Sequence, residues 1–353
     1  MARVRSSIAP LALAFLALSS CSDDAAETAG PNIGGAGGIV GTGGSSAAGG
    51  SSAAGGSSAS GGGVNLGGAS SDGGGGSAGA GCEKIDFLFI VDNSVSMQDQ
   101  QKQLVEAFPN FIKSIESTVN AGSNVHVLVT DTDGWGRCNT ANPWTGMDPS
   151  SATCTGYVKQ TKFEECDRTL GAGVVHPAGQ YASNKKCGFA AGRRFLQKGD
   201  TDIPGAFSCA AQVGTAGHPS ERPMDALLAA LKPQMNGPGG CNDGFLRDDA
   251  LLVITFISDD PNFEDQGKPQ DWYNAVVAAK KGDPNAAVVV GFTPAFASCP
   301  GTATPKGSHW AEFVAKFPFN LHASVCDGDY STTFAKAVQV IDEGCDGYVP
   351  PVK

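Results

Sequence analysis

After residue 81, the sequence contains none of the common signatures of enzyme active sites. It has no Gly-x-Ser-x-Gly nucleophile motif, no His-Glu-x-x-His motif and no phosphate-binding loop. None of its cysteines form a Cys-x-x-Cys pair, which argues against a zinc knuckle or a redox site. The five histidines show no metal-ligand spacing. We therefore expect no enzymatic activity.

The sequence also lacks an excess of positive charge and any apolar run long enough to span a bilayer. Its formal net charge is -11, from 24 Lys and Arg against 35 Asp and Glu. This balance argues against nucleic acid as a partner and against an electrostatic grip on anionic lipid. It suits cation binding and solubility equally well, so the charge alone selects no function.

The N-terminus has the features of an export signal. Arg3 and Arg5 precede a short apolar run, Ile8 to Leu18, which is too short to cross a membrane as a stable helix. The following Leu-Ser-Ser-Cys resembles the lipobox of bacterial lipoproteins, which implies a signal peptide at 1–20 and acylation of Cys21. Plain secretion with an incidental cysteine is the alternative. By the same analogy, Ser22 in place of aspartate favours the outer membrane within the cell envelope.

Residues 21–81 are predicted to be a disordered tether. From residue 30 onward they are almost entirely glycine, serine and alanine, with no collagen triplet. Such a segment has little apolar surface to bury. Its 50 or so residues would span roughly 40 Å as a flexible coil, enough to hold a folded domain off the membrane.

Ten cysteines remain once Cys21 is assigned to lipid, and an even number in an exported chain predicts disulfides. Up to five bonds are expected, and the sequence does not settle their pairing. One pairing is physically attractive, because Cys82 and Cys345 bracket the domain and domain termini often lie close together. The cysteines concerned are Cys82, Cys138, Cys154, Cys166, Cys187, Cys209, Cys241, Cys299, Cys326 and Cys345.

Continuous apolar runs of strand length alternate with helical patterns over residues 82–349. The clearest strands are 85–91, 125–129, 250–257 and 286–292. Strands that are apolar throughout and separated by helices indicate a parallel sheet covered on both faces. The predicted fold class is therefore α/β, a doubly wound and mainly parallel sheet flanked by helices.

A long irregular stretch, about residues 135–216, interrupts this pattern. It carries five of the ten cysteines and many Gly, Pro and Asn residues, and it is too long for an ordinary loop. We interpret it as a disulfide-rich insertion. Trp135, Trp144 and Phe207 are interpreted as residues of a small core of that insertion rather than as a sugar-stacking platform.

Polar clusters follow two of the predicted strands, and their oxygens suit a divalent cation. Asp92, Ser94 and Ser96 alternate after the first strand, where an extended loop can turn them toward one point. One carboxylate and two hydroxyls are hard ligands that favour Mg²⁺, Mn²⁺ or Ca²⁺. Asp259 ends another buried strand, and Thr215 precedes a helix. Because ligands bind beyond the carboxyl ends of parallel strands, both can approach the same edge.

This set of residues resembles the metal-ion-dependent adhesion site of von Willebrand factor A domains. That site has an Asp-x-Ser-x-Ser motif after the first strand, here Asp92, Ser94 and Ser96. A threonine from a loop and an aspartate after a central strand complete it, matched here in order by Thr215 and Asp259. The resemblance covers about 82–345 apart from the insertion.

The resemblance implies a binding module whose metal keeps one coordination position open for a carboxylate of a protein or other ligand. A metal with few charged protein ligands remains a good Lewis acid for an external anion. The expected function is metal-dependent recognition by a domain tethered to the membrane through its lipid anchor. Two alternatives stay open, a structural envelope protein with a merely stabilising metal and a metal-dependent hydrolase.

Each acidic cluster also has a simpler interpretation. Asp92 and Ser94 can cap the helix that follows them. Asp259 and Asp260 can form an ordinary turn at the end of a strand. Asp131 and Asp133, near the end of the second strand, are either a solvated turn or a second cation site. His126 lies in a predicted strand and is interpreted as structural.

Overall fold

Six strands of the described residues form one sheet. The computed structural model describes residues 82–118, 124–132, 164–217, 221–259, 265–296, 299 and 308–351. The strands are β1 Lys84–Val91, β2 Asn124–Asp131, β3 Leu196–Gln197, β4 Leu251–Ile257, β5 Ala287–Thr293 and β6 Phe319–Ser324. Their order across the sheet is β3-β2-β1-β4-β5-β6. Neighbouring strands run parallel except β2 and β3, so the predicted mainly parallel sheet is confirmed.

The central strands form because most of their residues are apolar, on both faces of the sheet. Every residue of β4 and β5 is buried, and so is every residue of β1 after the first. A strand with side chains alternating to opposite faces can be buried throughout only if both faces of the sheet are covered.

Helices cover both faces of the sheet. The α-helices of the described residues are α1 Gln98–Thr118, α2 Ile203–Ala211, α3 Pro223–Ala230, α4 Pro233–Asn236, α5 Pro269–Ala279, α6 Ser308–Val314 and α7 Ser331–Gly347. On one face, α1, α2 and α7 pack with Phe87 and Phe89 of β1. On the other face, α3, α5 and α6 pack with Leu88 and Ile90. The α/β class with helices flanking the sheet is therefore confirmed.

The C-terminal part of the predicted insertion belongs to the sheet and its helical cover. β3 pairs antiparallel with β2 at the edge of the sheet, and α2 packs into the main core. Phe207 of α2 is fully buried, with ring centroids 3.4 Å from Phe108 and 4.9 Å from Phe89. Its assignment to a separate small core is therefore wrong. Trp135 and Trp144 lie outside the described residues.

Four disulfides join cysteines of the described residues. The predicted pair Cys82–Cys345 is present. The others are Cys166–Cys241, Cys187–Cys209 and Cys299–Cys326. Cys138 and Cys154 lie outside the described residues. The bond between Cys82 and Cys345 fastens the chain just before β1 to α7.

Replacing both Cys82 and Cys345 by serine is expected to lower the free energy of unfolding by about 2–5 kcal/mol, the usual cost of losing a native disulfide. The reason is that this bond closes a long loop, with a sequence separation of 263 residues. Urea unfolding of the double variant and the parent, monitored by circular dichroism, measures the difference. A loss below roughly 1 kcal/mol would contradict a stabilising role.

The direction of the chain across the sheet reverses between β1 and β4. From β1 the chain moves outward to β2 and then to β3, and it returns to pair β4 with the other side of β1. In open α/β sheets, the crevice beyond the carboxyl ends of the strands at such a reversal is the usual ligand site. The residues that follow β1 and β4 therefore stand at the position where a site is expected.

Candidate metal centre

Asp92 directly follows β1 and lies at the centre of this crevice. Its backbone N–H donates to the carbonyl of Ile257, the last residue of β4, at 3.0 Å. Because Val91 and Ile257 are register partners, the residues that follow each strand emerge side by side. Asp92 is fully buried. The parallel pairing of β1 and β4 thus fixes its carboxylate between the two strand ends.

Two hydrogen bonds orient the Asp92 carboxylate. Oδ1 accepts from the backbone N–H of Ser94 at 2.7 Å, and Oδ2 accepts from the hydroxyl of Ser258 at 2.5 Å. The first bond closes a tight turn within the Asp92–Ser96 loop, and the second ties that loop to the end of β4. Sequence reasoning did not assign a role to Ser258. Its place immediately before Asp259, after a buried strand, was the available signal.

Ser94 and Ser96 link Asp92 to Asp259. Ser94 Oγ lies 3.2 Å from Ser96 Oγ, and Ser96 Oγ donates to Asp259 Oδ1 at 2.8 Å. Four of the five predicted site residues are therefore connected by hydrogen bonds, although Asp259 is 163 positions from Ser96 in the sequence. A hydrogen-bonded chain therefore runs across the crevice from the Asp92 carboxylate to the backbone N–H of Ser94, and from the Ser94 hydroxyl through the Ser96 hydroxyl to the Asp259 carboxylate.

The electrostatics of this arrangement are unfavourable for two negative charges. Burial, and secondly the negative charge of Asp259, raise the pKa of Asp92 to about 7. The hydrogen bonds from Ser258 and Ser94 act in the opposite direction. A buried carboxylate that is repelled by a second one is stabilised by a cation placed between them.

The loop that carries Thr215 reaches the site through its backbone. The N–H of Gly217 donates to the carbonyl of Asn93 at 2.8 Å. This approach requires glycine, because a Cβ at position 217 would lie 2.4 Å from the side chain of Asn93. The hydroxyl of Thr215 is directed elsewhere, 3.5 Å from the carbonyl of Gln180, which also accepts the backbone N–H of Thr215 at 2.8 Å. The structure therefore brings the Thr215 loop to the crevice, with its hydroxyl turned toward Gln180.

Gln101 holds this loop against the Asp92 loop. Its Nε2 donates to the carbonyls of Asp92 at 2.9 Å and Gly214 at 2.8 Å, and its Oε1 accepts the N–H of Gly214 at 3.0 Å. Sequence reasoning missed Gln101. The signal was a polar residue one turn before Leu104 on the apolar face of α1, where a buried amide needs partners.

The oxygen donors at the crevice fit a hard divalent cation. The Asp92 oxygens accept hydrogen bonds from Ser94 and Ser258 and keep further acceptor capacity, as does a serine hydroxyl. Over the described ranges, no group of three or more His, Cys, Asp or Glu side chains could hold a metal ion. A shell at this place would thus combine two carboxylates with hydroxyls and water, which is the chemistry that Mg²⁺ accepts.

His126 and the pair Asp131 and Asp133 are the other polar residues that the sequence analysis considered. His126 is buried in β2, and its Nδ1 lies 2.9 Å from the carbonyl of Phe245. Burial lowers the pKa of His126 to about 4, so the ring is neutral near pH 7. Asp131 ends β2, whereas Asp133 lies outside the described residues. The second cation site suggested there stays untested.

Membrane attachment rests on the sequence alone. Residues 1–81, with the predicted signal peptide, Cys21 and the tether, lie outside the described residues. Among the helices that the structure describes, none is long and apolar enough to cross a membrane.

Several solved structures resemble this chain distantly. No protein-family model and no curated protein matches the chain. Two structures of proximal thread matrix protein 1 from the mussel byssus match 74% and 75% of this chain, at 14% and 12% identity and TM-scores of 0.36 and 0.34. The open conformation of the pilus adhesin SpaC from Lactobacillus rhamnosus GG matches 74% of it, at 10% identity and a TM-score of 0.39. The matches span 49% and 47% of the thread matrix protein and 30% of the adhesin, and they carry no argument about function.

Proposed function

We propose that this protein is a tethered recognition module that binds one divalent cation, Mg²⁺ or a similar ion, at the β1/β4 crevice. Asp92, Ser94, Ser96 and Asp259 would hold the ion, and the Thr215 loop would complete the site. Bound there, the ion would supply a Lewis-acidic position for a carboxylate presented by a protein or another ligand. The protein's own role is to hold and orient these oxygens.

One observation carries the proposal, the hydrogen-bonded chain from Asp92 through Ser94 and Ser96 to Asp259. A capping role for Asp92 and Ser94 accounts for the turn before α1. It does not account for a second carboxylate, from a different strand, brought to the same hydroxyls. Two carboxylates held together at the usual ligand position of an α/β sheet favour a cation as their common partner.

The resemblance to von Willebrand factor A domains supports the same proposal. The motif residues lie after the first strand, Asp259 lies after the neighbouring strand β4, and the Thr215 loop precedes α3. For Thr215 to bind the ion, its side chain would have to leave the carbonyl of Gln180. The fold, with its reversal between β1 and β4, supplies the setting that such a site needs.

A role in the cell envelope follows from the sequence expectations. Acylation of Cys21 and the Gly/Ser/Ala-rich segment would place the domain on a flexible tether, free to sample orientations. That arrangement suits capture of a partner better than catalysis. The proposed partners are therefore proteins or other ligands with accessible carboxylates.

Two linked measurements on the full-length protein test the proposal. Calorimetric titration with Mg²⁺ and Mn²⁺ is expected to show one binding site for each chain. In Mg²⁺, the protein is also expected to bind beads coated with an aspartate-containing peptide, and EDTA is expected to release it. It is not expected to bind beads on which asparagine replaces the aspartate of the peptide. The carboxylate is the only feature that differs between the two bead types.

The possible outcomes separate the alternatives. Metal binding that raises the melting temperature without carboxylate-dependent retention would favour a merely stabilising metal. Chelator-sensitive turnover of an ester or phosphoester panel would favour a hydrolase. Absence of metal binding by the parent protein would overturn the proposal.

A further inference from the structure

Two large apolar side chains are exposed beside the candidate metal centre. Among the described residues, the exposed large hydrophobic side chains are Val95, Tyr181 and Val349, at 65%, 55% and 78% exposure. Val95 lies between the two serines of the metal loop. Tyr181 follows Gln180, whose carbonyl accepts the N–H of Thr215 at 2.8 Å. Tyrosine is enriched at the centres of protein interfaces, where its large ring gives contact area at low entropic cost.

The backbone of Tyr181 adopts a conformation that a bulky side chain rarely takes. Its φ is 59°, in the left-handed region, which is uncommon for residues other than glycine, asparagine and aspartate. Such a conformation costs on the order of 1 kcal/mol or more and persists only when the surroundings enforce it. Strain of this kind concentrates at binding and catalytic sites.

Hydrogen bonds enforce the shape of the loop around Tyr181. The Asn184 side-chain amide donates to the carbonyls of Gly179 and Ala182, both at 2.9 Å, and its Oδ1 accepts the N–H of Gly179 at 2.9 Å. The N–H of Ser183 donates to the carbonyl of Gln212 at 3.1 Å. The tyrosine is therefore presented on a fixed turn, which reduces the entropy lost when a partner binds.

A small cavity lies between this tyrosine and the start of α1. It has a volume of about 180 Å³ and is lined by Gln98, Gln101, Lys102, Tyr181 and Gln212. Small-molecule sites usually exceed about 300 Å³, so this cavity suits a single side chain of a larger partner. Gln101 is both a wall of the cavity and the residue that holds the Asp92 and Gly214 loops together.

One cationic side chain lies beside the cavity. Lys102 is the cationic residue of its lining, and its side chain is 70% exposed, with Glu106 3.9 Å away. An ion held at the β1/β4 crevice would add positive charge on the other side of Gln101. Glu106 and the two carboxylates of the site offset these charges, so a carboxylate of the partner would be attracted at the ion itself rather than by a positive field over this face.

We propose that the cavity beside Tyr181 is a second contact for the partner whose carboxylate binds at the metal centre, and that it takes an apolar side chain neighbouring that carboxylate. This inference rests on the proposed function. The partner is a peptide segment of a protein in which an aspartate or glutamate stands next to an apolar residue. The carboxylate accounts for the metal-dependent part of binding. The contact of its apolar neighbour with Tyr181 makes the protein selective among acidic segments.

Short peptides coupled at high density to a sensor surface test the inference. One has a single aspartate flanked by leucine and phenylalanine, and the other has the aspartate flanked by glycines. In Mg²⁺, the full-length protein is expected to bind the apolar-flanked peptide about five- to tenfold more tightly, the change that partial burial of one apolar side chain produces. Tyr181→Ala is expected to abolish this preference while leaving Mg²⁺ binding and binding to the glycine-flanked peptide unchanged.

Val349→Ala is the matched control, because Val349 is even more exposed than Tyr181 but follows α7 and does not line the cavity. It is expected to keep the full preference. A parent protein that binds Mg²⁺ and both peptides equally would overturn this inference and leave the proposed function standing. So would a Tyr181→Ala variant that keeps the preference. Loss of metal-dependent binding to both peptides in the parent would instead overturn the proposed function and, with it, this inference.

Discussion

Asp92→Asn is expected to weaken Mg²⁺ binding by at least about 100-fold without lowering the melting temperature of the metal-free protein. Substitutions of groups that only support a metal ligand cost about 10- to 100-fold in affinity, so loss of a charged ligand is expected to cost no less. The fold is expected to tolerate the change, because the side-chain oxygen of the introduced asparagine can still accept from the N–H of Ser94. The introduced amide can donate to the Ser258 hydroxyl, which in the parent donates to the carboxylate.

The direction of the change in melting temperature of the metal-free Asp92→Asn variant can be derived from the surroundings of Asp92. In the parent, Asp92 is buried and repelled by Asp259, and both effects raise its pKa to about 7. A neutral amide of the same shape removes this penalty, so the variant is expected to melt at the same temperature as the parent or at a higher one. Calorimetric titration and thermal melting, each with and without EDTA, measure the two effects separately.

Asp131→Asn is the control for the change in charge, since Asp131 ends the neighbouring strand β2 at the same edge of the sheet. It is expected to change the Mg²⁺ affinity by less than about threefold, because charges that do not contact the ion act through a screened field. If Asp92→Asn and the parent bound Mg²⁺ with equal affinity, Asp92 would not be a ligand of the ion, and the proposed site would be contradicted. A large effect of Asp131→Asn would point instead to a second cation site.

The sequence predicted the parts of the fold that depend on local pattern. β1, β4 and β5 are mostly apolar and almost wholly buried, and such runs identify strands covered on both faces. β6 was missed because Phe319–Ser324 is a half-buried edge strand that includes Asn320 and His322. The two-residue β3 was missed as well, since a strand so short has no pattern of its own.

The residues of the candidate site also fall into two groups, those that a local sequence pattern predicts and those that it does not. Asp92, Ser94 and Ser96 form a contiguous motif after a recognisable strand, and Asp259 follows another, so their meeting could be expected from the order of the elements. The roles of Gln101 and of the Thr215 loop depend on a contact between residues 113 positions apart. Neither spacing nor composition encodes where a loop after a long irregular segment returns to the sheet. The position of the Thr215 loop is determined by the packing of α2 and β3 with the rest of the sheet and its helices.

Phe207→Ala is expected to lower the free energy of unfolding by about 3–5 kcal/mol, the usual loss when a buried aromatic ring in a core is truncated to alanine. The ring is fully buried, stacks on Phe108 with an interplanar angle of 10°, and meets Phe89 edge-on. A change of this size corresponds to a fall in melting temperature of roughly 10 °C for a domain of this length. Urea unfolding and thermal melting of the disulfide-intact protein measure it.

Tyr181→Ala is the matched control within the same segment, because it also truncates an aromatic side chain but one that is 55% exposed. Its expected effect on stability is within about 0.5 kcal/mol, as for most surface substitutions. If residues 203–211 were part of an independent insertion, Phe207→Ala would leave the main unfolding transition unchanged. A large loss confined to Phe207→Ala would show that α2 is part of the core. The loop of Thr215, which follows α2 closely, would then be held at the crevice by the same packing that stabilises the domain.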